Sequence, residues 1–165
     1  PYAFGNAWFV DKLDMVDNAD AEIEALNTID PLRTAVVDKR FQEDLEGFVP
    51  QKDSTATIVL EEYRPNRLTY KSKADKEKLA VFSEVSYQPG WKATVDGKEV
   101  PHFRADWILR GMRVPAGEHT IVFEFRPSGY VTAAYVSSYS SFLILLLLIA
   151  AIGWSGWKYW KKSKN

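Results

Sequence analysis

The sequence predicts a mainly β protein: an antiparallel β-sandwich, jelly-roll-like, with one short N-terminal helix, followed by a single C-terminal transmembrane α-helix. Three observations predict it. About eight short runs rich in β-branched and aromatic residues lie between residues 34 and 126, separated by turn-forming residues. A cluster of capping residues at 17–20 starts one helix. Residues 127–157 contain no Asp, Glu, Lys or Arg. Only four of the 21 basic residues (Lys158, Lys161, Lys162 and Lys164) and none of the 22 acidic ones lie beyond that point, so residues 1–126 carry 17 − 22 = −5 and the tail +4. The formal net charge of −1 is the sum of two unlike parts.

Taken in order, Ala7-Trp-Phe-Val10 forms a short strand, and Val16-Asp-Asn-Ala-Asp20 supplies the helix start, with Asp17 or Asn18 as the cap. The helix, about 18–29, carries Ala21, Ile23, Ala25, Leu26 and Ile29 on its apolar side and stops at Asp30-Pro31, because the residue before proline avoids the helical region. Strands follow at 34–41, 55–63, 67–73, 79–87, 91–95, 98–103, 107–114 and 119–126. In the last, Ile121, Phe123 and Phe125 alternate with Thr120, Glu124 and Arg126, with Val122 against the pattern. Asp96-Gly97 is a two-residue hairpin signal, while Pro65-Asn66 and Pro115-Ala-Gly117 bend the chain between other strands. Tight hairpins between one-sided strands argue a sandwich rather than a parallel sheet.

The next segment is the most specific. Residues 142–152 are apolar on every helical face, and residues 135–154 supply about 20 positions at ~1.5 Å each, enough for a hydrocarbon core of ~30 Å. Tyr130, Tyr135 and Tyr139 cluster at one end and Trp154, Trp157, Tyr159 and Trp160 at the other, where amphipathic rings sit at headgroup level. The sequence therefore divides into a β module (1–127), a transmembrane helix (130–157) and a Lys-rich tail (158–165). Lys-rich flanks stay cytoplasmic, which places the β module on the extracytoplasmic face of a cytoplasmic membrane. Ser137, Ser138, Ser140 and Ser141 sit in the outer half of the span, where hydroxyls bond back to the helix or face another helix.

Composition excludes several function classes. Without cysteine there are no disulfides, no thiol catalysis and no Cys-type metal sites. An acidic main domain without a basic stripe argues against nucleic acid as a partner. The two histidines, His102 and His119, fall at a strand start and after a turn, as edge or surface positions, and no phosphate loop or nucleophile elbow is present. No catalytic residue, metal ligand or cofactor is assigned. The binding candidates are aromatic: Tyr87, Trp91 and Trp107 lie near strand ends, close in sequence to Arg104, Asp106 and Arg110, as in sandwiches that hold a sugar ring. Aromatics of a small sandwich also fill its core, and Arg104 and Asp106 share a strand face suited to an ion pair.

The series Tyr87-Gln-Pro-Gly-Trp-Lys92, Val95-Asp-Gly-Lys98, Phe103-Arg-Ala-Asp-Trp-Ile-Leu-Arg110, Val114-Pro-Ala-Gly-Glu-His119 and Phe123-Glu-Phe-Arg-Pro127 resembles the C-terminal part of bacterial YfhO-like membrane proteins. Asn6-Ala-Trp-Phe-Val10, Val16-Asp-Asn-Ala-Asp20 and Thr34-Ala-Val-Val-Asp-Lys-Arg-Phe41 are similar to its Bacteroidetes branch. The resemblance implies a large polytopic protein with a C-type glycosyltransferase core that uses lipid-linked sugars to modify cell-envelope glycopolymers. Its catalytic acid is expected in an early extracytoplasmic loop that no position here matches. Beginning at Pro1 without a leader, the sequence is then the tail of a longer chain, and its partners are the bilayer, the parent's other membrane helices and envelope glycan. The competing expectation is a single-pass anchored module that binds glycan or protein outside the cell.

Overall fold

The computed structural model describes residues 4–163, which form two compact units divided between Arg126 and Pro127. The first is built of β1 (Ala7–Val10), β2 (Lys12–Val16), α1 (Ala19–Ala25), β3 (Thr34–Asp38), a 3-10 helix (Lys39–Leu45), β4 (Thr57–Arg64), β5 (Arg67–Ala74), β6 (Lys78–Val85), β7 (Trp91–Val95), β8 (Lys98–Val100), β9 (Phe103–Ala105), β10 (Leu109–Val114) and β11 (Gly117–Phe125). The second is one helix, α2 (Ser128–Ser163).

The mainly β, antiparallel architecture holds. One sheet runs β1-β6-β10-β9 and the other β4-β5-β11-β7-β8. Their facing sides enclose a core of Leu68, Tyr70, Phe82, Met112, Ile121 and Phe123, with Phe82 and Phe123 edge to face at 4.8 Å. A second core lies on the far side of the four-stranded sheet, where Val10, Leu79, Val81 and Phe103 meet Ala35 and Val37 of β3 and Leu45 and Phe48 around the 3-10 helix. The molecule thus has a third layer beyond the sandwich. That layer explains why Leu79-Ala-Val-Phe82 is buried at every position: a strand covered on both faces needs no alternation.

The added layer contains the departures from expectation. β2 and β3 pair in parallel, the one parallel pair among the described strands. The 34–41 strand ends at Asp38, whose carboxylate accepts from the Arg40 amide at 2.9 Å and starts the 3-10 helix. That turn brings Phe41 against Phe103, centroids 6.2 Å apart. The 98–103 strand divides into β8 and β9, which belong to different sheets, and β10 begins only at Leu109. In α1 the Asn18 side chain accepts from the Ala21 amide at 2.9 Å, as a cap should. The face that the helix buries, however, carries Glu22, and Ile23 points to solvent.

α2 contains a 30-residue segment, Thr132–Lys161, long and apolar enough to cross a membrane. Its apolar side chains from Phe142 to Ile152 are exposed, as are Tyr135, Tyr139, Trp154, Trp157 and Trp160. Ser141 donates to the Ser137 carbonyl at 2.9 Å, the back-bonding expected of a hydroxyl in an apolar helix. Lys161 Nζ stands 5.7 Å from the Trp157 ring centre. The side chains of Tyr130, Lys162 and Lys164 lie outside the described residues.

Candidate functional site

The residues Arg104, Asp106 and Trp107 converge at the turn that joins β9 to β10. Asp106 and Trp107 take φ of 50° and 69°, two successive left-handed residues without a glycine. Each such residue is unfavourable by about 1–2 kcal/mol, so something must hold the turn in place. The holding groups come from the third layer. The Val36 amide donates to Asp106 Oδ1 at 2.8 Å, and the Asp106 amide donates to the Val36 carbonyl at 2.8 Å. Glu22, with no exposed surface, accepts from the Trp107 amide at 3.0 Å and from Arg104 Nη2 at 2.6 Å. Arg104 also lies 3.5 Å from Asp38. Arg104 therefore pairs with Glu22 and Asp38 rather than with Asp106, whose Oδ1 is committed to the backbone.

Electrostatics at this turn follows from burial. Asp106 Oδ2 is buried without a hydrogen-bond partner. Desolvation, only partly opposed by the Val36 amide, pushes its carboxyl up to about 6, and nearby Glu22 adds to the rise. Asp38 moves the other way: bonds from the Arg40 amide and guanidinium hold its carboxyl below the usual range. The turn presents the Trp107 ring at its surface, 41% exposed, beside the exposed Ile108.

The remaining candidates lie on the loop after β6 and at the start of β7. Tyr87 is exposed. Trp91 is half-buried, its ring 5.3 Å from Phe125 and 4.6 Å from the guanidinium carbon of Arg110, which also stands 4.6 Å from Phe123. Arg110 is buried within this aromatic box, donating from Nη2 to the Val85 carbonyl at 3.1 Å, while its Nε and Nη1 have no partner. Trp91 is thus tied to the interior, and Trp107 and Tyr87 are the rings open to solvent. His102 is turned inward rather than lying on the surface: Nε2 donates to the Trp91 carbonyl at 3.1 Å, the ring packs 5.7 Å from Phe123, and burial lowers its basicity.

Sequence reasoning missed Glu22 and Asp38 as holding groups, and took Arg110 only as a polar neighbour of the aromatics. Glu22 carried one available signal, since positions 22, 25, 26 and 29 form a helical stripe with the acid at its head. Nothing local marks Arg110 as buried. Among the described residues, no three His, Asp or Glu are placed to hold a metal ion, and the buried carboxylates are locked to backbone amides or to Arg104. The geometry is that of a braced turn with the exposed Trp107 ring at its tip.

No curated protein and no solved structure matches the chain at a significant level. The family described as bacterial membrane protein YfhO matches residues 42–137, from within the 3-10 helix through β4 to β11 and into the first turns of α2. That match covers more than half of the chain and joins the β unit to a helix able to cross a bilayer. The chain belongs to the YfhO family of bacterial membrane proteins.

Proposed function

We propose that this chain is the C-terminal extracytoplasmic module and last membrane helix of a larger glycosyltransferase that takes sugar from a lipid-linked donor and modifies cell-envelope glycopolymers. The catalytic groups and any cofactor belong to upstream parts. The observation that carries the reading is the order of elements: a braced β unit, an uncharged span with aromatic ends, and a run of lysines after it, within a family of membrane proteins. The lysines favour a cytoplasmic C-terminus. The serine-bearing turns of α2 suit packing on other membrane helices of the parent.

Two measurements test this. Deleting the full-length gene removes one sugar substituent from an envelope glycopolymer, read by mass spectrometry of the isolated polymer; unchanged polymers in every envelope fraction refute the transferase reading. A fluorescent reporter fused after Asn165 is active in the cytoplasm, and activity of a periplasm-only reporter there reverses the orientation. The exposed Trp107 and Tyr87 favour a second reading, an anchored glycan-binding module. Under that reading envelope oligosaccharides shift Trp fluorescence, and Trp107→Ala abolishes the shift without unfolding the chain.

A further inference from the structure

Both sheets bring a set of strand ends to one place. Val85 at the end of β6 pairs with Leu109 at the start of β10, and Trp91 at the start of β7 pairs with Phe125 at the end of β11. The intervening loop ties them together: the Ser86 amide donates to the Ile108 carbonyl at 2.7 Å, and the Arg126 amide to the Gly90 carbonyl at 2.6 Å. The β4–β5 turn joins the same end through the Phe125 amide, which donates to the Asn66 carbonyl at 2.9 Å.

The surface of this end is unusual for a domain with a net charge of −5. Tyr63, Val85, Tyr87, Trp107 and Ile108 are all exposed. Three arginines, Arg64, Arg67 and Arg126, flank them with side chains 65%, 46% and 68% exposed, ion-paired to Glu62 or Glu124. At the opposite end lie Asp53, Asp75, Asp96 and Glu118, by the other turns of the same strands. Large apolar side chains, Trp, Tyr and arginine together form the composition of a membrane–water interface.

Covalent connection singles out the same end. β11 stops at Phe125 and α2 begins at Ser128. Three Cα steps of about 3.8 Å allow at most about 11 Å between them. The strand end bearing the aromatic surface is therefore leashed closely to the helix that enters the bilayer.

We propose that this end of the sandwich, with Val85, Tyr87, Trp107 and Ile108 at its tip, rests in the headgroup layer of the membrane, giving the domain a second lipid contact beside its helix. The proposal rests on α2 crossing the bilayer. Lipid is favoured over a sugar ring because two of the four tip residues are aliphatic, and over a separate protein because the leash already supplies the membrane at close range.

The chain has no cysteine, so single-cysteine spin labels report one site each. The full chain is reconstituted in vesicles of phosphatidylethanolamine and phosphatidylglycerol as Tyr87→Cys, Ile108→Cys, Lys98→Cys at the opposite end and Leu146→Cys in α2. Accessibility to oxygen and to a water-soluble nickel complex is then measured. Labels at 87 and 108 show several-fold lower nickel accessibility than the label at 98 and a depth at the phosphate level, with 146 in the hydrocarbon. Labels at 87 and 108 as open to nickel as that at 98, with 146 still in the hydrocarbon, overturn the proposal and leave the patch free for glycan. Shielding of 87 and 108 from both reagents overturns it in favour of a protein cover. Nickel access at 146 removes the membrane reading itself, and the proposal with it.

Discussion

Glu22 shows how much one side chain can hold in this molecule. Its two oxygens serve residues 82 and 85 positions away, Arg104 and the Trp107 amide, from a site without solvent. Removing one partner of a buried pair leaves the other charge stranded. Glu22→Ala is expected to lower stability by about 3 kcal/mol, the lower part of the range for such losses, because Asp38 remains near Arg104. Urea denaturation of the detergent-solubilised chain measures it. Asp106 gives a prediction with the opposite sign. Its folded-state pKa of about 6 lies above the ordinary aspartate value, so ionisation favours the unfolded chain, and the penalty grows from about pH 4 to pH 6 and persists above. Asp106→Asn keeps an acceptor for the Val36 amide, tolerates positive φ and cannot ionise. The variant is expected to exceed the parent in stability by on the order of 2 kcal/mol at pH 8, with the difference vanishing near pH 4. Equal differences at both pH values contradict this. None of these roles could be read locally: the residue types were visible at 22, 104 and 106, but the pairing depends on a layer that the sequence pattern did not announce.

Among the elements, β6 and β10 bear the packing. β10 lies beside β9 with Gly111 opposite Phe103, and a Cβ at Gly111 would stand 2.7 Å from the Phe103 ring and 3.1 Å from the Ala105 Cβ. Phe103 is itself held by Phe41 and the second core, so it has little room to yield. Gly111→Ala is expected to be destabilising by about 1–3 kcal/mol, seen as a lower thermal midpoint with unchanged β content by circular dichroism. The strands that pair by hairpin were the legible ones. Asp96-Gly97 adopts φ of 50° and 83°, as its two-residue turn requires, and β11 alternates as its sequence does, apart from Val122. Legibility failed where a side chain bonds its own backbone. Asp38 diverts β3 into a 3-10 helix by accepting the Arg40 amide, and no hydrophobic period records that choice. β2 has a regular Lys-Leu-Asp-Met-Val alternation, yet its parallel partner lies beyond α1, which only the tertiary fold reveals.

For the whole molecule, the division of charge and hydropathy matches the division into units, with the boundary at residues 126–127. Both cores lie within the first unit, and every strand among the described residues belongs to it. The full chain is expected to stay with membranes after alkaline carbonate extraction, while a chain ending at Arg126 appears in the soluble fraction with its β signal intact. A soluble full chain contradicts the membrane role of α2. The membrane helix was the most legible feature because lipid imposes a composition over its entire length. The aromatic end of the sandwich was legible only as scattered residues, since Val85, Tyr87, Trp107 and Ile108 are joined by strand pairing rather than by sequence.

The place of β11 in its sheet has a mechanical meaning. It is the central strand of five, hydrogen-bonded to β5 on one side and β7 on the other, and it is also the strand whose last residue hands the chain to α2. A pull transmitted from the membrane anchor along that strand meets two ladders loaded in shear together, whereas the same pull on β4 or β8 would peel an edge one bond at a time. The chain therefore leaves the sheet for α2 from the strand best placed to bear tension, and a load arriving through the helix is shared by both ladders before any edge strand feels it.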